Sequence, residues 1–89
     1  MRLTLRIRGR VQGVGYRAST YEQARALGLR GWVRNEPDGS VLAVAEGTQA
    51  GLESLREFCE QGPPSARVTA IEQEWSDGTG GLPAFEIRR

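Results

Sequence analysis

The sequence predicts an α+β sandwich, an antiparallel sheet with two helices on one face and a short extra strand at the C-terminus. Three observations carry this prediction. Leu3, Leu5, Ile7 and Val11 fall on odd positions while Arg2, Thr4, Arg6, Arg8 and Arg10 fall on even ones, the period-2 pattern of a strand with one buried face. Two segments, about 17–27 and 49–61, have the composition and apolar spacing of helices. A hairpin pattern lies between them, so the chain reads strand-helix-strand twice, which is the ferredoxin-like βαββαβ arrangement.

The elements follow in order. The first strand covers about 3–11 and would bury its odd residues under the helices while showing Arg6 and Arg8 to water. The first helix has Tyr21, Ala24 and Leu27 spaced for one face, with Ala18 or Thr20 extending it, and Gly28 suits its C-terminal cap. A second strand spans 30–35. Glu36-Pro37-Asp38-Gly39 is a turn, with Pro presetting one backbone angle and Gly39 permitting a positive one. A third strand spans 41–46. Thr48 is placed to cap a helix over 49–61, whose core face is Leu52, Leu55, Phe58 and Cys59, and Gly62-Pro63-Pro64 stops it. Over 66–75 the alternation of Val68 and Ala70 slips to Ile71 and Trp75, which predicts a strand with a bulge or bend. Residues 76–81 form a flexible glycine-rich loop, and 83–88, with Phe85 and Ile87 alternating, make a last short strand.

Composition excludes more than it indicates. At 89 residues the chain is expected to be a single domain, 1–89. No apolar run approaches membrane-spanning length, and strand-like alternation from residue 3 leaves no place for a cleavable leader, so a cytoplasmic protein is expected. Cys59 is the sole cysteine, which rules out an internal disulfide, and its place on an apolar helix face makes it a core thiol. There is no histidine, and all 12 basic residues are arginine. Histidine acid–base chemistry, phosphohistidine, Schiff bases and a Walker lysine are therefore excluded, and a transition-metal site would have to do without imidazole. No cofactor and no metal are expected. Residues 1–34 hold eight arginines against Glu22 alone, whereas 35–86 hold ten acids against Arg56 and Arg67. The basic half favours an anionic ligand.

That half contains Gly9-Arg10-Val11-Gln12-Gly13-Val14-Gly15-Tyr16-Arg17, where the first strand runs through a glycine-bearing turn into a helix. Gly13 and Gly15 allow backbone angles that leave neighbouring N–H groups uncovered, and successive N–H groups beside a helix start form a nest for an anion. Arg17 is placed to close a guanidinium over it. An ordinary strand–helix turn with a surface arginine would show the same glycines. The fold also hosts RNA-binding and metal-carrying domains. Against RNA, the first strand exposes arginines and the third has no aromatic; against metal carriage, there is no two-cysteine loop. Tyr16 and Trp32 read as core or pocket wall, and Ser19 as a helix-start or packing hydroxyl.

The stretch Gly9-x-Val11-Gln12-Gly13-Val14-Gly15-Tyr16-Arg17, with Gly31-Trp32-Val33-Arg34-Asn35-x-x-Asp38-Gly39-x-Val41 and Gly62-Pro63 before Ala66-x-Val68, resembles the acylphosphatase family over essentially the whole chain. Tyr16 stands where the family more often has phenylalanine. The resemblance implies metal-free hydrolysis of the carboxyl–phosphate bond of acyl phosphates to a carboxylate and inorganic phosphate. It implies that Arg17 and Asn35 are catalytic, that Gln12, Gly13, Val14, Gly15, Tyr16 and Arg17 hold the phosphate, and that Asn35 orients the water. Asn35 alone, before a turn, would also be an ordinary strand-end residue. A stand-alone monomer acting on a small-molecule acyl phosphate, without nucleic acid or membrane, is the expected form. The alternative is a non-catalytic anion-binding module of the same fold.

Overall fold

The computed structural model describes residues 1–89 and contains seven elements: β1 (Arg2–Arg10), α1 (Tyr16–Ala26), β2 (Arg30–Asn35), β3 (Val41–Glu46), α2 (Gln49–Gln61), β4 (Arg67–Ser76) and β5 (Glu86–Arg88). One sheet has the order β4-β1-β3-β2-β5. β1 pairs antiparallel with both β3 and β4, and β2 pairs antiparallel with β3. β5 lies parallel to β2, so the sheet is mixed rather than wholly antiparallel. The reason is directional. β4 ends beside Arg2, and the chain crosses that end of the sheet before rising again, which aligns β5 with β2.

The crossing segment, read from sequence as a flexible loop, is held by a buried carboxylate. Glu46 accepts hydrogen bonds from Thr79 N at 3.3 Å, Gly80 N at 3.0 Å and Arg2 Nε at 2.7 Å. The Arg2 bond is the main cause that keeps the Glu46 carboxyl below its ordinary range. β5 is shorter than the alternation suggests; Phe85 is buried, but Ile87 is exposed on the sheet edge.

Leu3, Leu5 and Ile7 of β1 are buried, as their spacing requires, beneath both helices. On α2 the buried positions are Leu52, Leu55 and Cys59, with Phe58 packed at their margin, and Thr48 caps the helix by accepting Gly51 N at 3.1 Å. On α1 they are Tyr16, Thr20 and Ala24. The spacing of Tyr21, Ala24 and Leu27 suggested a face turned partway round the helix; Tyr21 and Leu27 are only half-buried, and Ala18 is exposed. Tyr16 accounts for the difference. The helix starts at this residue, and its hydroxyl donates to Cys59 O at 2.7 Å, drawing the ring into the core and rotating the i, i+4 row of 16, 20 and 24 inward. The Thr20 hydroxyl, buried on that row, donates to Tyr16 O at 2.9 Å. At the other end Leu29 N bonds Ala24 O at 3.0 Å and Gly28 N bonds Arg25 O at 3.1 Å, the paired closure of a Schellman cap.

The predicted irregularity in β4 is a bulge. Arg8 pairs with Ala70 and Gly9 with Val68, leaving Thr69 as the extra residue. Gly9 sits opposite it with φ +127°, where a Cβ would lie 2.1 Å from Arg67 O. Gly9→Ala is therefore expected to cost about 2–5 kcal/mol through overpacking and backbone strain, read as a lower urea midpoint at unchanged m-value.

Candidate active site

β1 ends at Arg10, and Val11 is buried, so the chain turns sharply before α1. Gly13 and Gly15 make the turn with φ of +75° and +80°, and a Cβ at either would meet nothing within 4 Å. The space above them is open, and it is the left-handed backbone that calls for glycine. Gly15 caps α1 with no side-chain hydrogen bond, and no acidic residue occupies the first helical turn. The loop, turn and cap hydrogen bonds of the chain include no donor from Gln12 to Arg17. A run of N–H groups at a helix N-terminus is thus left without an internal partner, the arrangement that suits an anion.

Strand register brings Asn35 to this end of the sheet. Ile7 and Asn35 both pair with Val41, so the end of β2 stands level with Ile7 across β3, and β1 runs on from there to Arg10. Asn35 shares parity with buried Val33 and so projects to the helix-covered side. Its Oδ1 is buried and has no hydrogen-bond partner. Leaving such an oxygen unsatisfied costs about 1–3 kcal/mol, and native chains keep few of them.

A contact the sequence reading missed joins the two pieces. Gln12 Nε2 donates to Glu36 O at 2.8 Å and to Ser40 O at 2.9 Å. The turn it grips is closed by Glu36 N to Ser40 O at 2.8 Å and Gly39 N to Glu36 O at 3.1 Å. The Gln12 side chain is therefore an anchor, which leaves its backbone to the cradle. On the other flank the Ser65 hydroxyl donates to Val14 O at 2.9 Å. No local signal marks any of the three bonds, since the partners stand 24, 28 and 51 residues apart. Ser19 contributes its amide, bonded to Gly15 O at 3.1 Å, rather than its hydroxyl.

Arg17 is half-buried and takes part in none of the ion pairs. The carboxylates of the turn are already engaged: Glu36 by Arg34 at 2.7 Å and Arg6 at 3.5 Å, Asp38 by Arg8 at 3.3 Å. Asp38 also accepts the Ser40 hydroxyl at 2.6 Å and the Ser40 amide at 3.0 Å, and these two bonds chiefly lower its pKa from 3.8 to about 2. Burial pushes the Cys59 thiol up to about 11 and raises the Tyr16 phenol as well, so neither ionises near neutrality. Trp32 lies on the opposite sheet face, with the Arg34 and Arg88 guanidinium groups 4.8 and 5.0 Å from its ring centroid. It is remote from the cradle side, while Tyr16 lies beneath it in the core.

Fold and site together define a small α+β protein with a glycine turn whose amides lack internal partners, an arginine in no ion pair and a buried carboxamide oxygen without a partner. The acylphosphatase family model matches residues 3–87. The chain is 50% identical to the acylphosphatase of Anaeromyxobacter dehalogenans over 99% of its length and 95% of that protein. It is 52% identical to the acylphosphatase of Thermococcus kodakarensis over 98% of its length and 94% of that protein. The crystal structure of acylphosphatase from Bacillus subtilis superposes with a TM-score of 0.95 at 36% identity, covering 99% of this chain and 98% of that one. The chain belongs to the acylphosphatase family, enzymes that hydrolyse acyl phosphates.

Two outcomes follow from the anchoring contacts. Gln12→Ala is expected to lose about 1–3 kcal/mol of stability in urea unfolding, the cost of two bonds whose carbonyls are left behind. Asp38 has a lower pKa folded than unfolded, so its contribution is present above pH 3.8 and lost as the pH falls toward about 2. Asp38→Asn should flatten that part of the stability–pH curve while leaving the shape near pH 7 unchanged.

Proposed function

We propose that residues 1–89 act as one monomeric, cytoplasmic acylphosphatase domain that cleaves acyl phosphates to a carboxylate and inorganic phosphate without a metal ion. No helix is long and apolar enough to cross a membrane, and no three His, Cys, Asp or Glu side chains converge to hold a metal. Neither a nucleic acid nor a membrane is a partner in this reading.

The chemistry asks for little covalent help. An acyl phosphate already carries a good leaving group, so the enzyme must hold the phosphoryl oxygens, offset their charge and place a water in line. The N–H groups of Gln12, Gly13, Val14, Gly15, Tyr16 and Arg17 hold the oxygens, and the Arg17 guanidinium offsets their charge. The Asn35 Oδ1 accepts a hydrogen bond from the attacking water. As the water oxygen bonds to phosphorus, the bond from phosphorus to the acyl oxygen breaks, and its electron pair leaves with the carboxylate. The water's proton passes to a phosphoryl oxygen, since a neutral carboxamide is no useful base. The single observation that carries this reading is the buried, unpartnered Asn35 oxygen, at the strand end whose following turn is bonded by the Gln12 side chain.

Phosphate release from acetyl phosphate, measured with a chelator present, tests the proposal. Full activity is expected, and activity that the chelator removes would overturn the metal-free step. Arg17→Ala and Asn35→Ala should each lower kcat about 10²–10³-fold or more, by analogy with deleted oxyanion donors. Arg17→Ala alone should also weaken binding of inorganic phosphate. A protein that binds phosphate but turns over no acyl phosphate would be the non-catalytic anion-binding module instead.

A further inference from the structure

The turn between β2 and β3 is bonded to its surroundings in two ways. Its main-chain oxygens at Glu36 and Ser40 both accept Gln12 Nε2, at 2.8 and 2.9 Å. Its side chains are held by arginines of β1: Arg8 Nη1 donates to Asp38 Oδ2 at 3.3 Å, and Arg6 Nη1 to Ser40 Oγ at 3.0 Å. Ser40 is the residue where the two sets of bonds meet, and it is buried. Its amide and its hydroxyl both donate to Asp38 Oδ1, at 3.0 and 2.6 Å. Its carbonyl accepts Glu36 N at 2.8 Å as well as the Gln12 carboxamide.

One carboxylate oxygen therefore satisfies two donors of a buried residue, whose own carbonyl holds the glycine loop. Removing that oxygen leaves the Ser40 amide and hydroxyl without their acceptor, a cost the turn relieves only by reorienting around Ser40. Ser40 O moves with such a change, and Gln12 then keeps one fixed carbonyl instead of two. Asn35 immediately precedes the turn. The placement of the loop relative to Asn35 thus passes through Ser40 as well as through the strand ladder.

We propose that Asp38 is a positioning residue for the hydrolysis, holding the loop in line with Asn35 through Ser40 and Gln12 while touching neither phosphate nor water. The assignment rests on the reading of 12–17 as the phosphate cradle and of Asn35 as the group that orients the water. The amides of 12–17 and the Arg17 guanidinium belong to one continuous segment, and they keep their mutual arrangement when that segment tilts. Asn35 belongs to another strand and does not tilt with them. The loss of Asp38 accordingly falls on kcat, through misalignment of water and phosphorus, and spares phosphate affinity.

The test measures hydrolysis of acetyl phosphate and its inhibition by inorganic phosphate, each variant being assayed at a temperature where urea unfolding shows it folded. Asp38→Ala is expected to lower kcat by about 10- to 100-fold with the phosphate inhibition constant held within about twofold. Asp38→Asn, whose carboxamide oxygen still accepts from Ser40, should recover most of that loss. In the Gln12→Ala background Asp38→Ala should lower kcat no further, because its route to the loop is already cut. Wild-type kcat in Asp38→Ala overturns the assignment, and so does a loss that Asp38→Asn fails to restore. A loss that multiplies undiminished in the Gln12→Ala background also overturns it, as does a parallel loss of phosphate affinity, the mark of a generally loosened site. Wild-type protein without activity on acetyl phosphate would instead remove the hydrolase reading, and the assignment with it.

Discussion

Gln12 donates both hydrogens of its carboxamide to carbonyls of the turn after Asn35, and the candidate site depends on that pair of bonds. The glycine loop comes from the end of β1 and the carboxamide from the end of β2, two strands that never pair with each other. β3 lies between them and, through Val41, sets Asn35 level with Ile7 of β1. Strand register alone would leave a loop free to sway on its glycines. Gln12 anchors it on one flank and Ser65 on the other, and the proposed oxyanion stabilisation requires such a fixed loop.

Charge is distributed to the same purpose. An acidic turn beside an anion site would repel its ligand, yet Glu36 and Asp38 are there. Arg6, Arg8 and Arg34 reach them from the open face of the sheet and cancel them locally. Arg17 on the helix side is left without an internal partner, so its guanidinium remains available to a ligand. The alternation of β1 produces this partition directly: odd positions build the core, and even positions supply the arginines that neutralise the turn.

Several features were legible in the residues because each rests on short-range rules. The left-handed glycines, the Thr48 cap, the closure at Gly28 and the β4 bulge all follow from local backbone chemistry. The buried face of α1 was misjudged because Tyr16, at the helix start, is pulled inward by the Cys59 carbonyl from another helix. The parallel placement of β5 likewise depends on where β4 ends, and no pattern within 83–88 encodes it.

The sequence by itself determined that a strand, a glycine turn and an arginine-bearing helix follow one another, that imidazole and lysine chemistry are absent, and that the motifs resemble one enzyme family. Tertiary structure decided which atoms remain unsatisfied. Whether Asn35 Oδ1 or Arg17 has a partner depends on residues tens of positions away, brought near by strand register. Hydrogen-bond and charge balance are sums over spatial neighbours, and a linear pattern of residue types does not contain those sums.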